Sequence, residues 1–100
     1  MIIYSVTVTV EESIKDQWIN YMKNEHILDV MNSGCFNKFT FTRVIGTSKD
    51  QENSFNIQYF CDSMKDMHKY QVQFAPVLQK EHVEKFGEKA LAFRTLLEEI

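Results

Sequence analysis

The chain has 100 residues, 44% of them hydrophobic and 13% aromatic, with one proline; this composition excludes a disordered or fibrous protein and points to one globular domain over residues 1–100. Its formal charge is −3 with no clustered basic run, which removes the electrostatic footprint of a nucleic-acid binder. No apolar run approaches the roughly 20 residues needed to span a bilayer, so no membrane partner is expected.

The N-terminal "MIIYSVTVTVEES" alternates at period two. Ile2, Tyr4, Val6, Val8 and Val10 form one apolar face and Ser5, Thr7 and Thr9 the other, the signature of a first strand over Ile2–Val10. It lacks the basic region and small-residue cleavage site of a signal peptide, so a soluble cytoplasmic protein is expected. "IKDQWINYMKNEHILDVMN" then places Ile14, Trp18, Tyr21, Met22 and Leu28 at spacings of three and four. Glu11, Glu12 and Asp16 stand near its start, where the helix dipole favours acids. This predicts a first helix, closed by Asn32, Ser33 and Gly34.

"CFNKFTFTRVIG" alternates again and predicts a second strand. The polar "TSKDQENS" reads as a hairpin loop, and "FNIQYFCD" as a third strand with Phe55, Ile57, Tyr59 and Cys61 on one face. Ser63 can cap a second helix, with Asp66 at the capping-box position and Met64, Met67, Gln71, Phe74 and Leu78 as its stripe. Pro76 should break it by forcing Ala75 out of helical dihedrals, leaving "PVLQKEHVEKF" as an offset helical piece that ends at Gly87. "KALAFRTLLEEI" completes the chain as a fourth strand. Cys35 and Cys61 are too few and too far apart for a disulfide framework and read as free thiols.

The order β-α-β-β-α-β is that of an α+β, ferredoxin-like fold, a four-stranded antiparallel sheet with two helices on one face. The bare face should then be polar in a monomer. Strands two and three nevertheless carry Phe36, Phe39, Phe41, Phe55 and Phe60, and strand four has Leu91, Phe93 and Leu97 opposite Ala90, Ala92 and Leu96. A sheet apolar on both sides needs a partner, and a second copy packing sheet to sheet is the simplest one. A core this thin, burying only about 60 to 70% of the unfolded surface, gains from such a homodimer.

These residues resemble the dimeric α+β barrel superfamily. More closely, "MIIYSVTV", "YMKNEHILDVMNSGCF", "QYFCDS", "FAPVLQKE" and "KFGEKALAFRTLLE" resemble a bacterial family of about 100 residues, a domain of unknown function, across Met1–Glu98. The closer resemblance implies the fold and carries no activity with it. The wider one implies a small-molecule-binding or enzymatic barrel, monooxygenase-like or isomerase-like. Several superfamily members have a histidine late in the first helix, within a segment that "WINYMKNEHIL" resembles; Leu28 stands where that segment often has proline.

His26 is therefore the candidate catalytic residue. It borders the buried stripe near Ile19 and Val30 and is expected to be partly accessible, facing the gap between the first helix and the sheet. There an imidazole suits general acid or base work; the duller alternative is a histidine bonding the helix's last carbonyls. Trp18, Met22, Tyr59 and Phe74 are candidate walls for a hydrophobic or aromatic ligand, although aromatics at helical spacing also build cores. Arg94, like Arg43, interrupts an alternating strand and can anchor an anion, or pair with a glutamate across a dimer. His68 and His82 form no HxxxH or HxH pair, so no metal is expected, and no cofactor motif is present. "KEHVEKFGEK" reads as a solvated helix face. Against the enzyme stands a second class of function, a non-catalytic dimerisation or regulatory module.

Overall fold

The computed structural model describes residues 1–46 and 53–100. Residues 47–52, which hold most of the expected hairpin loop, lie outside it. Four strands, β1 (Ile2–Val10), β2 (Lys38–Arg43), β3 (Ser54–Cys61) and β4 (Ala90–Glu98), form one sheet in the order β2-β3-β1-β4, every neighbouring pair antiparallel. With the helices α1 (Lys15–Tyr21), α2 (Ile27–Asn32), α3 (Met64–Gln73) and α4 (Ala75–Phe86), this is the ferredoxin-like α+β fold. No helix among the described residues is long and apolar enough to cross a membrane.

The register fixes what each face carries. Tyr4 lies opposite Tyr59 and Leu96, Val6 opposite Ile57 and Arg94, and Val8 opposite Phe55 and Ala92, so these residues share the helix-covered face. Phe39 and Phe41 pair with Tyr59 and Ile57 and belong to that same face, while Phe36 is buried against Tyr4 and Tyr59. Of the five phenylalanines expected to make strands two and three apolar on both sides, only Phe60 lies on the bare face. The reason is parity: Phe39, Phe41, Phe55 and Tyr59 all point the same way once the strands pair, and Phe36 precedes β2. The bare face instead carries polar rows in its middle. Asn56 Nδ2 donates to Ser5 Oγ at 3.0 Å and to Thr7 Oγ1 at 3.1 Å, and Thr9 and Ser54 share a hydroxyl bond of 3.0 Å. Apolar side chains stand at the margins, with Leu91, Phe93 and Leu97 exposed on β4.

The first helix is a single run with an irregular centre. Between α1 and α2, Met22–His26 forms a π turn, and the buried positions step from Met22 to Ile27 by five residues rather than four. Gly34, at φ 78°, turns the chain out of this helix as the glycine signal predicts. The second helix is split. Its backbone departs from helical geometry at Phe74 (φ −122°, ψ −43°), one residue before the expected Ala75, and Ala75 opens α4 with Pro76 in the first turn, where no amide hydrogen is missed. Ser63 caps α3 by accepting from the amide of Asp66. Both cysteines are buried free thiols.

Candidate functional site

The π turn sets where His26 points. His26 sits at its last position, and with Val6, Val8, Met22, Gln79, His82, Ala92 and Arg94 it lines a cavity of about 30 Å³ between the helices and the β1–β4 edge. His26 is partly accessible there and does not cap a helix end, because α2 continues directly from it and it makes no capping bond. Its Nδ1 is buried and has no hydrogen-bond partner among the described residues. Native proteins rarely leave such an atom without a partner, be it protein, water or ligand.

His82 reaches the same place from α4. The apolar stripe Ala75, Leu78, His82 and Phe86 turns it inward, and its ring centroid lies 5.9 Å from that of His26. Trp18, completely buried on α1, donates from its indole Nε1 to His82 Nε2 at 2.9 Å. The segment "KEHVEKFGEK" is thus solvated only in part: Lys80, Glu81, Glu84 and Lys85 face water, whereas His82 and Phe86 are buried. The stripe spacing of three and four was present in the sequence, but the surrounding charges masked it.

Electrostatics keep both imidazoles neutral. Burial, then the proximity of His82 and Arg94, lowers the His26 pKa to about 4. Burial and Arg94 push His82 downward as well. Arg94, exposed on β4, donates from Nε to Tyr4 Oη at 3.1 Å and also borders two adjoining clefts. One, of about 240 Å³, is shared with Tyr4, Gln71, Gln79 and Leu96; the other, of about 360 Å³, is shared with His82, Val83, Leu91 and Ala92. Arg94 therefore stands at the junction of a groove running along β4.

The other expected walls are elsewhere. Trp18 packs against Phe41 and Phe55, and Tyr59 stacks with Tyr4, which makes both core side chains rather than cavity walls. Phe74 lies against Tyr70. Met22 and Arg94 do line the cavity with His26. Arg43 sits over the Phe55 ring and borders a larger cleft of about 570 Å³ with Ile19, Lys23 and Ile45. Among the described residues no histidine lines that cleft, whereas His26 and His82 both line the cavity beside Arg94. Among the described residues no group of three or more His, Cys, Asp or Glu side chains is placed to hold a metal.

A family model described as a domain of unknown function (DUF4286) matches residues 1–100. No curated protein matches the chain. Among solved structures the chain is similar to an EthD-family protein from Bacillus halodurans, with a TM-score of 0.72 and 14% identity over 100% of both chains. It is also similar to SnoaB, a cofactor-independent oxygenase from Streptomyces nogalater (TM-score 0.66, 9% identity, 98% of this chain and 91% of that one). A third is an MhuD variant with two manganese protoporphyrin IX molecules bound per active site (TM-score 0.71, 12% identity, 100% and 95%). At these identities the likeness is one of fold, the ferredoxin-like α+β arrangement, and the side-chain chemistry has to be read from this chain.

Proposed function

Because the chain belongs to the DUF4286 family, whose description assigns no activity, its chemistry rests on its own cleft, and we propose a cytoplasmic homodimeric α+β barrel that binds a small, largely apolar anion and moves a proton on it. The observation that carries this reading is the pair of neutral imidazoles, with ring centroids 5.9 Å apart beside Arg94, one of them with a buried nitrogen that no described residue satisfies. In this scheme Arg94 takes the ligand's anionic group, a pairing suited to a guanidinium. His26, unprotonated at neutral pH, accepts the proton. The two steps are coupled: an anion on Arg94 cancels part of the positive potential that lowers His26, so the base strengthens as the ligand binds. Proton removal is a step common to isomerase-like chemistry and to monooxygenase-like chemistry without a cofactor. The apolar body of the ligand lies in the groove along β4, whose flanking clefts approach the size of small-molecule sites.

Thermal-shift titration with a panel of aromatic carboxylates tests the reading. Wild type is expected to be stabilised by at least one of them, Arg94→Ala to bind it at least about tenfold more weakly, and His26→Ala to lose turnover. Equal shifts in wild type and both variants would refute the site.

The dimer has its own support in Leu91, Phe93 and Leu97, exposed along one strand of a sheet face that no described helix covers. Those side chains also favour a second reading, a dimerisation module without chemistry. Sedimentation at micromolar concentration should give twice the chain mass, and Phe93→Asp should return it to the monomer. A folded wild-type monomer under these conditions removes the barrel.

A further inference from the structure

We propose that Trp18 is a positioning residue that locks His82 as a hydrogen-bond donor, so that His82 and His26 together seat a single hydroxyl group, that of a phenol or enol on the bound anion. The inference rests on the small-molecule reading above and names its substrate class.

The indole N–H can only donate, so the 2.9 Å bond from Trp18 requires an unprotonated Nε2 on His82. A neutral His82 then carries its proton on Nδ1. Protonating both nitrogens would break the bond and strand a fully buried indole donor, which makes the tautomer a consequence of packing and not of solvent. Trp18 is itself held by Phe41 and Phe55, at ring distances of 5.9 and 5.1 Å, so the donor that fixes His82 is rigid.

Across the cavity His26, in the tautomer that carries its proton on Nε2, presents the opposite capacity. It is neutral, and its buried Nδ1 has no partner among the described residues. One side of the cavity therefore supplies an N–H from His82, and the other an imidazole able to accept from a ligand. A carbonyl oxygen satisfies only the first and an ammonium only the second, whereas a hydroxyl satisfies both. The space agrees, since about 30 Å³ is room for one oxygen and not for a ring. The ring carrying that hydroxyl has to lie in the adjoining clefts, where Arg94 meets its acidic group.

Nitrogen-15 NMR of the histidine side chains, with 4-hydroxybenzoate and benzoate as probes, tests this directly. In the wild-type protein His82 is expected to show a protonated Nδ1 and an unprotonated Nε2 at neutral pH. The hydroxylated acid should bind several-fold more tightly than benzoate and move the nitrogen resonances of both His26 and His82. Trp18→Phe should release the tautomer toward the Nε2–H form and erase the preference for the hydroxyl while benzoate still binds. The wild-type measurements need no variant, so a poorly folded Trp18→Phe does not shield the proposal. An Nε2–H tautomer at His82, or equal affinities for the two acids, overturns it with ligand binding left standing. The stated tautomer with neither acid bound overturns the hydroxyl seat and the small-molecule reading together.

Discussion

Trp18→Ala is expected to cost about 3 to 5 kcal/mol, the largest loss of any single substitution in the first helix. The side chain is fully buried, packs edge-on to Phe41 and tilted on Phe55, and satisfies His82. Alanine leaves both a cavity and an orphaned acceptor. For a domain whose total stability is of the order of 5 to 15 kcal/mol, this removes a large share and lowers Tm by more than about 10 °C. Trp18→Phe separates the two contributions, because most of the volume stays while the donor goes, and about 1 to 3 kcal/mol is expected for that change alone. Urea unfolding of the three proteins measures both. A loss below about 1 kcal/mol for the alanine variant would show that the α1–sheet contact is not the centre of the core.

Acid is the second strong perturbation. His26 titrates near 4 in the folded protein against 6.5 unperturbed, and His82 is shifted in the same direction. Below pH 6.5 the unfolded chain takes up protons that the folded chain refuses, so folding stability is fully present above that pH and falls as pH drops from 6.5 towards 4. From His26 alone the loss over this window is about 3 kcal/mol. Burial sets the sign and the groups facing it add to it: His82 from α4 and Arg94 from β4 both oppose a positive charge, and the neighbouring Tyr21 ring offers no counter-ion. Chemical denaturation at pH 7 and pH 4.5 should reveal the slope, and His26→Gln should flatten most of it. An unchanged slope in that variant would place the acid sensitivity in the carboxylates instead.

What could be read from the sequence follows from which signals are local. The alternation in Ile2–Val10 reports one-sided burial directly, and Ser63 with Asp66 and the glycines at 34 and 87 mark helix ends through backbone chemistry confined to a few residues. The π turn is different. Projecting the first helix at 100° per residue places His26 correctly at the edge of the buried stripe, but it does not foresee the five-residue step from Met22 to Ile27, because the extra residue is accommodated by tertiary packing. His82 was hidden for a related reason: its partners Trp18 and His26 are 64 and 56 positions away, and it stands in a run crowded with charge, Lys80, Glu81, Glu84 and Lys85. Trp18 and Tyr59 have the same aromatic character whether they line a ligand site or fill a core, and only the pairing register, which brings Tyr59 against Tyr4, separates the two.

The polar rows on the uncovered sheet face bear on how that face can be dried. A buried amide or hydroxyl is costly when it gives up water with nothing in exchange. Here Asn56 already spends its amide hydrogens on Ser5 and Thr7, and Thr9 and Ser54 already bond one another across β1 and β3. Dehydrating these rows therefore strands few groups, whereas Thr40, Gln58 and Thr95 on the same face make no side-chain hydrogen bond among the described residues and call for donors and acceptors opposite them. Any surface packed here has to match those three side chains and the exposed Leu91, Phe93 and Leu97 at the margin, while the Asn56 and Thr9–Ser54 rows are the permissive part of the face.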